Sequence, residues 1–179
     1  MASRIPLNAI LAAAVAFALP IAADAQSKSA DLAKQLSQLL EQKKLESFAA
    51  ADADNAGVFV AALYYPGTEL LVVSAKHFNP PALADKLAQK NYPDVYADLN
   101  TGAVAGSKLL VMDAFADGLV AKPANGSAPD SIDGTVAMTF DGDWKKAKQT
   151  EEEYMKAFAA ADAKYSHALE VLIAKLKAS

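Results

Sequence analysis

Two histidines, His77 and His167, are the only imidazoles in the chain, and there is no cysteine. A disulfide scaffold, a cysteine-ligated zinc and a thiol nucleophile are therefore excluded. A two-histidine metal centre would need both imidazoles on one ion; each histidine reads as structural or surface, and no metal is expected. His167 has Asp162, Tyr165 and Ser166 nearby on one helical stretch, with Asp162 and Ser166 one turn apart. Solvated helix polarity explains that grouping. No G-x-S-x-G occurs, so the nucleophile elbow of serine hydrolases is missing. Gly102-Ala103-Val104-Ala105-Gly106-Ser107-Lys108 is one residue short for a phosphate loop and has Ser and Lys in reversed order. It also runs into a strand where a helix must start. Asp141-Gly142-Asp143 lacks the ligand spacing of a calcium loop. Asn125-Gly126-Ser127 fits a glycosylation triplet but reads as a turn. Acids are plentiful, yet nothing in the spacing singles out two of them for glycoside hydrolysis. Trp144 is either a stacking platform or an anchor at the base of the last helix; burial favours the anchor.

The elements that would position these residues follow from hydrophobic period. Leu32, Leu36, Leu39 and Leu40, continued by Leu45 and Phe48, predict a helix from Ser27 to about Ala51. Asp52-Ala53-Asp54-Asn55-Ala56-Gly57 would stop it. Val58 to Tyr65 is β-branched and aromatic and predicts a strand buried on both faces. Pro66-Gly67 suits the centre of a type II turn, and Leu70 to Ala75 completes a hairpin. A short helix with Leu83 and Leu87 follows Asn79-Pro80-Pro81, then a short strand at Val95–Leu99. Lys108 to Val120 is predicted extended, Lys122 to Gly134 a mobile loop, and Thr135 to Phe140 a half-exposed strand ending at Asp141-Gly142. Thr150-Glu151-Glu152-Glu153 is a capping box. It opens a helix whose apolar face is Tyr154, Phe158, Tyr165, Leu169, Leu172 and Leu176.

Residues 1–25 have the pattern of a cleaved secretory signal. Arg4 precedes an apolar run from Ile10 to Leu19, and Ala23-Asp24-Ala25 offers small residues for cleavage. The run is shorter than the roughly 20 residues a membrane span needs. The expectation is an exported protein, periplasmic or secreted, with no membrane association after cleavage and a single domain over residues 26–179. Without Arg4 and Asp24, the 17 cations and 21 acids of the chain become 16 lysines and 20 acids, with no arginine left. A mildly acidic chain that is 53% hydrophobic has the makings of a core but no basic face for nucleic acid.

From Gly57 to Phe140 the order of elements resembles the FMN-binding split β-barrel family, which includes the pyridoxamine-phosphate-oxidase-like proteins. The stretches that carry the resemblance are Thr68–Lys76, the helix with Leu83 and Leu87, Val95–Leu99 and Gly106–Ala114. It covers about half the chain and is a pattern of elements. It implies an antiparallel split-barrel-like sheet and a homodimer; with the long N- and C-terminal helices read from the leucine pattern, the expected fold is α+β, the sheet flanked by those helices. By position it also implies FMN as cofactor, with Ser74, Lys76, His77 and Lys108 as its binding residues. No residue matches the family's phosphate-binding arginine, whose bidentate fork a lysine does not reproduce. Two functions follow. One is an exported protein that binds a flavin or another planar anionic ligand; the other is a noncatalytic exported module that binds a small molecule or partner and has lost the cofactor.

Overall fold

The computed structural model describes residues 27–77, 107–133 and 138–179. Helix α1 spans Lys28–Gln42 and buries Ala33, Leu36 and Leu40, the inward side of the leucine pattern. It ends in a Schellman arrangement: the Leu45 amide donates to the Leu40 carbonyl and the Lys44 amide to the Glu41 carbonyl. Lys44 takes the left-handed position, φ 55°, that glycine usually fills. The helix therefore stops nine residues before the predicted end, and Ser47–Ala51 is strand β1 instead. Sheet pairing overrides the helical propensity of its three alanines.

Strands β2 (Val58–Tyr65) and β3 (Leu70–His77) form the predicted hairpin. Its turn differs from the expected one. The Thr68 amide donates to the Tyr65 carbonyl, and the left-handed residue is Glu69, φ 51°, rather than Gly67. Strand β4 (Ser107–Asp113) is followed by a 3-10 turn at Ala114–Ala116, so the extended segment predicted to Val120 breaks after Asp113. Strand β5 (Asp130–Asp133) lies within the predicted loop, and β6 (Met138–Phe140) occupies the end of the predicted last strand. Helix α2, Glu151–Ala178, opens with the full Thr150–Glu153 capping box.

The six strands form one antiparallel sheet in the order β1-β2-β3-β4-β5-β6, with β1 and β6 at opposite edges. The fold is α+β, and the sheet of described strands is open. Register and side-chain alternation define its faces. Phe48, Val60, Ala62, Tyr64, Leu71, Val73, Val111 and Phe140 share one core with both helices. There α2 contacts β1 through β4 and α1 packs along α2. All six apolar residues expected on α2 are buried. Phe140 meets Tyr154 and Phe158 edge to face, at centroid distances of 5.7 and 5.3 Å. Trp144 packs against this core, in keeping with its anchor reading. No described helix is long and apolar enough to cross a membrane. The signal segment, the helix with Leu83 and Leu87 and the strand Val95–Leu99 lie outside the described residues.

Candidate functional site

The segment from Ala114 to Val120 is irregular because its amides bond to side chains rather than to a ladder. Asp130 accepts from the Ala114 and Val120 amides at 2.9 and 2.8 Å. Asp113 accepts from the amides of Asp117 and Gly118, both at 3.1 Å, and from the Tyr165 hydroxyl at 2.8 Å. Ser29 Oγ takes the Leu119 amide at 2.8 Å. Three buried side chains thus receive five amides, which satisfies backbone that would otherwise be orphaned. The turn they hold is a strained one. Phe115 sits at φ 76° and Ala116 at φ 49°, a left-handed pair without glycine. Such backbone costs of order 1–3 kcal/mol per residue and persists only where its surroundings dictate it.

Strain here presents an aromatic ring. Phe115 is 45% exposed, although Asp113, Ala116, Gly118 and Leu119 around it are buried. It lines a cleft of about 480 Å³ between α1, the β2–β3 turn and the 114–117 turn. That volume lies in the range of small-molecule sites. Among the described residues, four carboxylates line the cleft, Asp31 and Glu41 from α1, Glu69 from the hairpin turn and Asp117, with one lysine, Lys34. Tyr64 forms part of the wall and donates its hydroxyl to Glu41 Oε1 at 3.2 Å. A concave, anionic surface with an exposed ring suits an organic cation, which carboxylates attract by charge and an aromatic face by its quadrupole.

Behind the cleft the electrostatics are unusual. Carboxylate oxygens of Asp113, Asp117 and Asp130 lie within 4.8 Å of one another. Among the described residues neither Asp113 nor Asp130 has a salt-bridge partner. Burial pushes Asp113 up to about 7, against the Tyr165 hydrogen bond and with the help of the Asp130 and Asp117 charges. Burial likewise pushes Asp130 up to about 6, although two backbone amides favour its ionised form. Asp117 is raised too, by burial and by Glu69. Tyr165, buried and facing Asp113, is held well above the ordinary phenol range.

The residues singled out by the resemblance lie elsewhere. Ser74 is fully buried in β3, in register with Ala61 of β2 and Leu110 of β4. It belongs to the sheet face opposite Leu71 and Val73, and its hydroxyl has no hydrogen-bond partner among the described residues. Lys76 shares that face two residues on and is half-buried. His77 ends β3 opposite Val58, and Lys108 occupies the β4 position where the register with β3 shifts. The backbone therefore gathers all four at one end of the β3–β4 pair. Neither Ser74 nor Lys76 is among the described residues that line the cleft.

The second histidine has a defined partner. His167 Nε2 lies 2.8 Å from Asp52 Oδ2, which also accepts from Asn55 Nδ2 at 2.8 Å. Burial alone would raise Asp52, but these bonds and the Asp54 amide hold it below the usual carboxylate range. The pair fastens the β1–β2 turn to α2. Asp162 accepts from the Lys28 and Ser29 amides at 2.9 and 3.1 Å, capping α1 from α2. Ser27, in the N-cap position, makes no cap bond of its own.

The cleft was missed in the sequence because its walls come from four separate stretches, none with a local motif. One signal existed: Phe115 and Asp117 are bracketed by Asp113 and Gly118, an acid and a glycine around an apolar residue in a segment read as extended. Comparison with family models, with curated proteins and with solved structures returns no match.

Proposed function

We propose that this chain is a noncatalytic binding module, exported through its N-terminal leader, that captures a small organic cation in the cleft between α1 and the 114–117 turn. The observation that carries the reading is Phe115, exposed at the cleft in a backbone conformation that costs energy to hold. Stored strain beside a concave surface points to function. The acids Glu41, Glu69 and Asp117 in the described lining favour a ligand with more than one positive centre, and a linear polyamine combines those charges with methylenes that pack on the ring. Spermidine is the direct probe. Calorimetric titration at low salt is expected to give saturable binding, weakened several-fold by Phe115→Gly and by Asp117→Asn while both variants still melt cooperatively. No saturation by about 1 mM, equivalent to about −4 kcal/mol, refutes the reading.

A second reading keeps the flavin. The buried hydroxyl of Ser74, without a partner among the described residues, and Lys76 on the same sheet face support an anion-binding role for that end of β3. The split-barrel likeness, the homodimer and a part for His77 and Lys108 belong to this reading. The anionic cleft would repel a phosphate, so the two readings use different surfaces. Adding FMN to the purified mature chain separates them: a bound chromophore lost in Ser74→Ala and Lys76→Ala supports the flavin, and an unchanged free-flavin spectrum rejects it. Mass spectrometry of exported protein beginning at Gln26 tests the leader.

A further inference from the structure

We propose that cation capture in the cleft is coupled to proton release from the buried Asp113–Asp130 pair behind it. The inference rests on the cation reading above and adds its regulation. Asp117 is the link. It lines the cleft, and its carboxylate stands within 4.8 Å of those of Asp113 and Asp130.

Two buried carboxylates beside each other, with no salt-bridge partner among the described residues, resist simultaneous ionisation. The neighbouring groups pull both ways: burial and the surrounding acids add to that resistance, while the Tyr165 hydroxyl and the amides of the turn favour ionisation. Asp117 faces the pair from the turn, Tyr165 from α2 gives Asp113 one hydrogen bond, and Glu69 acts on Asp117 from the hairpin turn. Across the cleft, the described lining from α1 includes Asp31, Glu41 and Lys34. Near neutral pH the pair therefore holds a proton, consistent with values of about 7 for Asp113 and about 6 for Asp130. A positive charge seated against Asp117 favours the ionised pair through a partly desolvated medium, where Coulomb interactions over several ångströms remain large. The cation binds and the pair gives up its proton to solvent; charge and mass balance without another reactant. By linkage, whatever proton binding loses, cation binding gains.

The sign follows. Affinity rises with pH through the range in which the pair titrates, by up to about tenfold per pH unit for each proton released. The total gain from about pH 5 to about pH 8 is about tenfold or more. At a mildly acidic pH the site holds its cation about tenfold less tightly.

Hexamethonium is the probe, because its two quaternary charges do not titrate. Its affinity is measured by calorimetry on the wild-type mature chain at about pH 5, 6.5 and 8, and at about pH 6.5 in two buffers of different ionisation enthalpy, which counts protons released. The expected result is tighter binding at higher pH and a fractional proton released. Tyr165→Phe removes the hydrogen bond that favours ionised Asp113, so its affinity midpoint is expected at higher pH than wild type. Binding with equal affinity at all three pH values and no proton released overturns the coupling and leaves the cation reading standing. A Tyr165→Phe midpoint that does not move also overturns it. Failure of hexamethonium to bind at any of these pH values overturns the cation reading and the coupling together.

Discussion

Replacing Asp113 by asparagine isolates the contribution of one buried carboxyl to stability. Asp113 is fully buried and its pKa rises from 3.8 to about 7 on folding. A raised value means that the folded chain holds a proton the unfolded chain has lost, so stability is present at low pH and falls as pH climbs through about 7. At about 1.4 kcal/mol per pKa unit the full effect is about 4 kcal/mol, of which about 3 kcal/mol develops between about pH 8 and pH 5. Asp130, raised to about 6, acts in the same direction over a narrower range. Asparagine keeps the shape but cannot lose a proton. It also accepts fewer of the three bonds from Asp117, Gly118 and Tyr165, a loss of about 1–3 kcal/mol at every pH. Urea unfolding followed by circular dichroism at about pH 8, 6.5 and 5 reads the difference. Wild type is expected to gain several kcal/mol toward pH 5, about 6–12 °C in melting temperature from Asp113 alone. Asp113→Asn is expected to gain less, so that the gap between the two widens in acid. Wild-type stability that is flat or rises from pH 5 to pH 8, or an equal slope in the variant, refutes the reasoning.

Two further substitutions test the scaffold of the cleft. In Gly118→Ala the new methyl would lie 2.4 Å from the Ala30 backbone nitrogen at φ +83°, so α1 and the turn must separate; a loss of about 3 kcal/mol or more is expected in denaturant melts. Asp162→Ala strips the Lys28 and Ser29 amides of their acceptor and is expected to cost about 1–3 kcal/mol, with hydrogen exchange quickened first in the opening turn of α1. Phe115→Gly, used above against spermidine, should also raise the melting point by relieving about 1 kcal/mol or more of left-handed strain. A variant that binds less well and melts no higher would contradict the account of the turn.

How far the sequence could be read depends on where each element draws its order. Helix α2 and the β2–β3 hairpin were legible because a capping box, a leucine stripe and a β-branched run encode them locally. Strand β1 was not: Ser-Phe-Ala-Ala-Ala is as compatible with helix as with strand, and pairing with Phe59–Leu63 decides it. Strand β5 offers one apolar residue, Ile132, among acids and serine, so nothing distinguished it from loop. The left-handed places taken by Lys44, Glu69 and Phe115 run against the glycine rule on which turn reading depends. The cleft and the acid pair behind it were invisible for a related reason. Asp113 and Tyr165 are 52 residues apart, His167 and Asp52 are 115, and partners so distant leave no spacing to recognise.

The carboxylate of Asp162 also bears on the order of events during synthesis. Helix α1 leaves the ribosome early, but the group that completes its first turn lies more than 130 residues downstream. Until that distal stretch emerges, the nascent N-terminal half lacks both its cap and the helix it packs along. The finished architecture therefore waits until Asp162 and the helix around it have been made, however early α1 itself emerges.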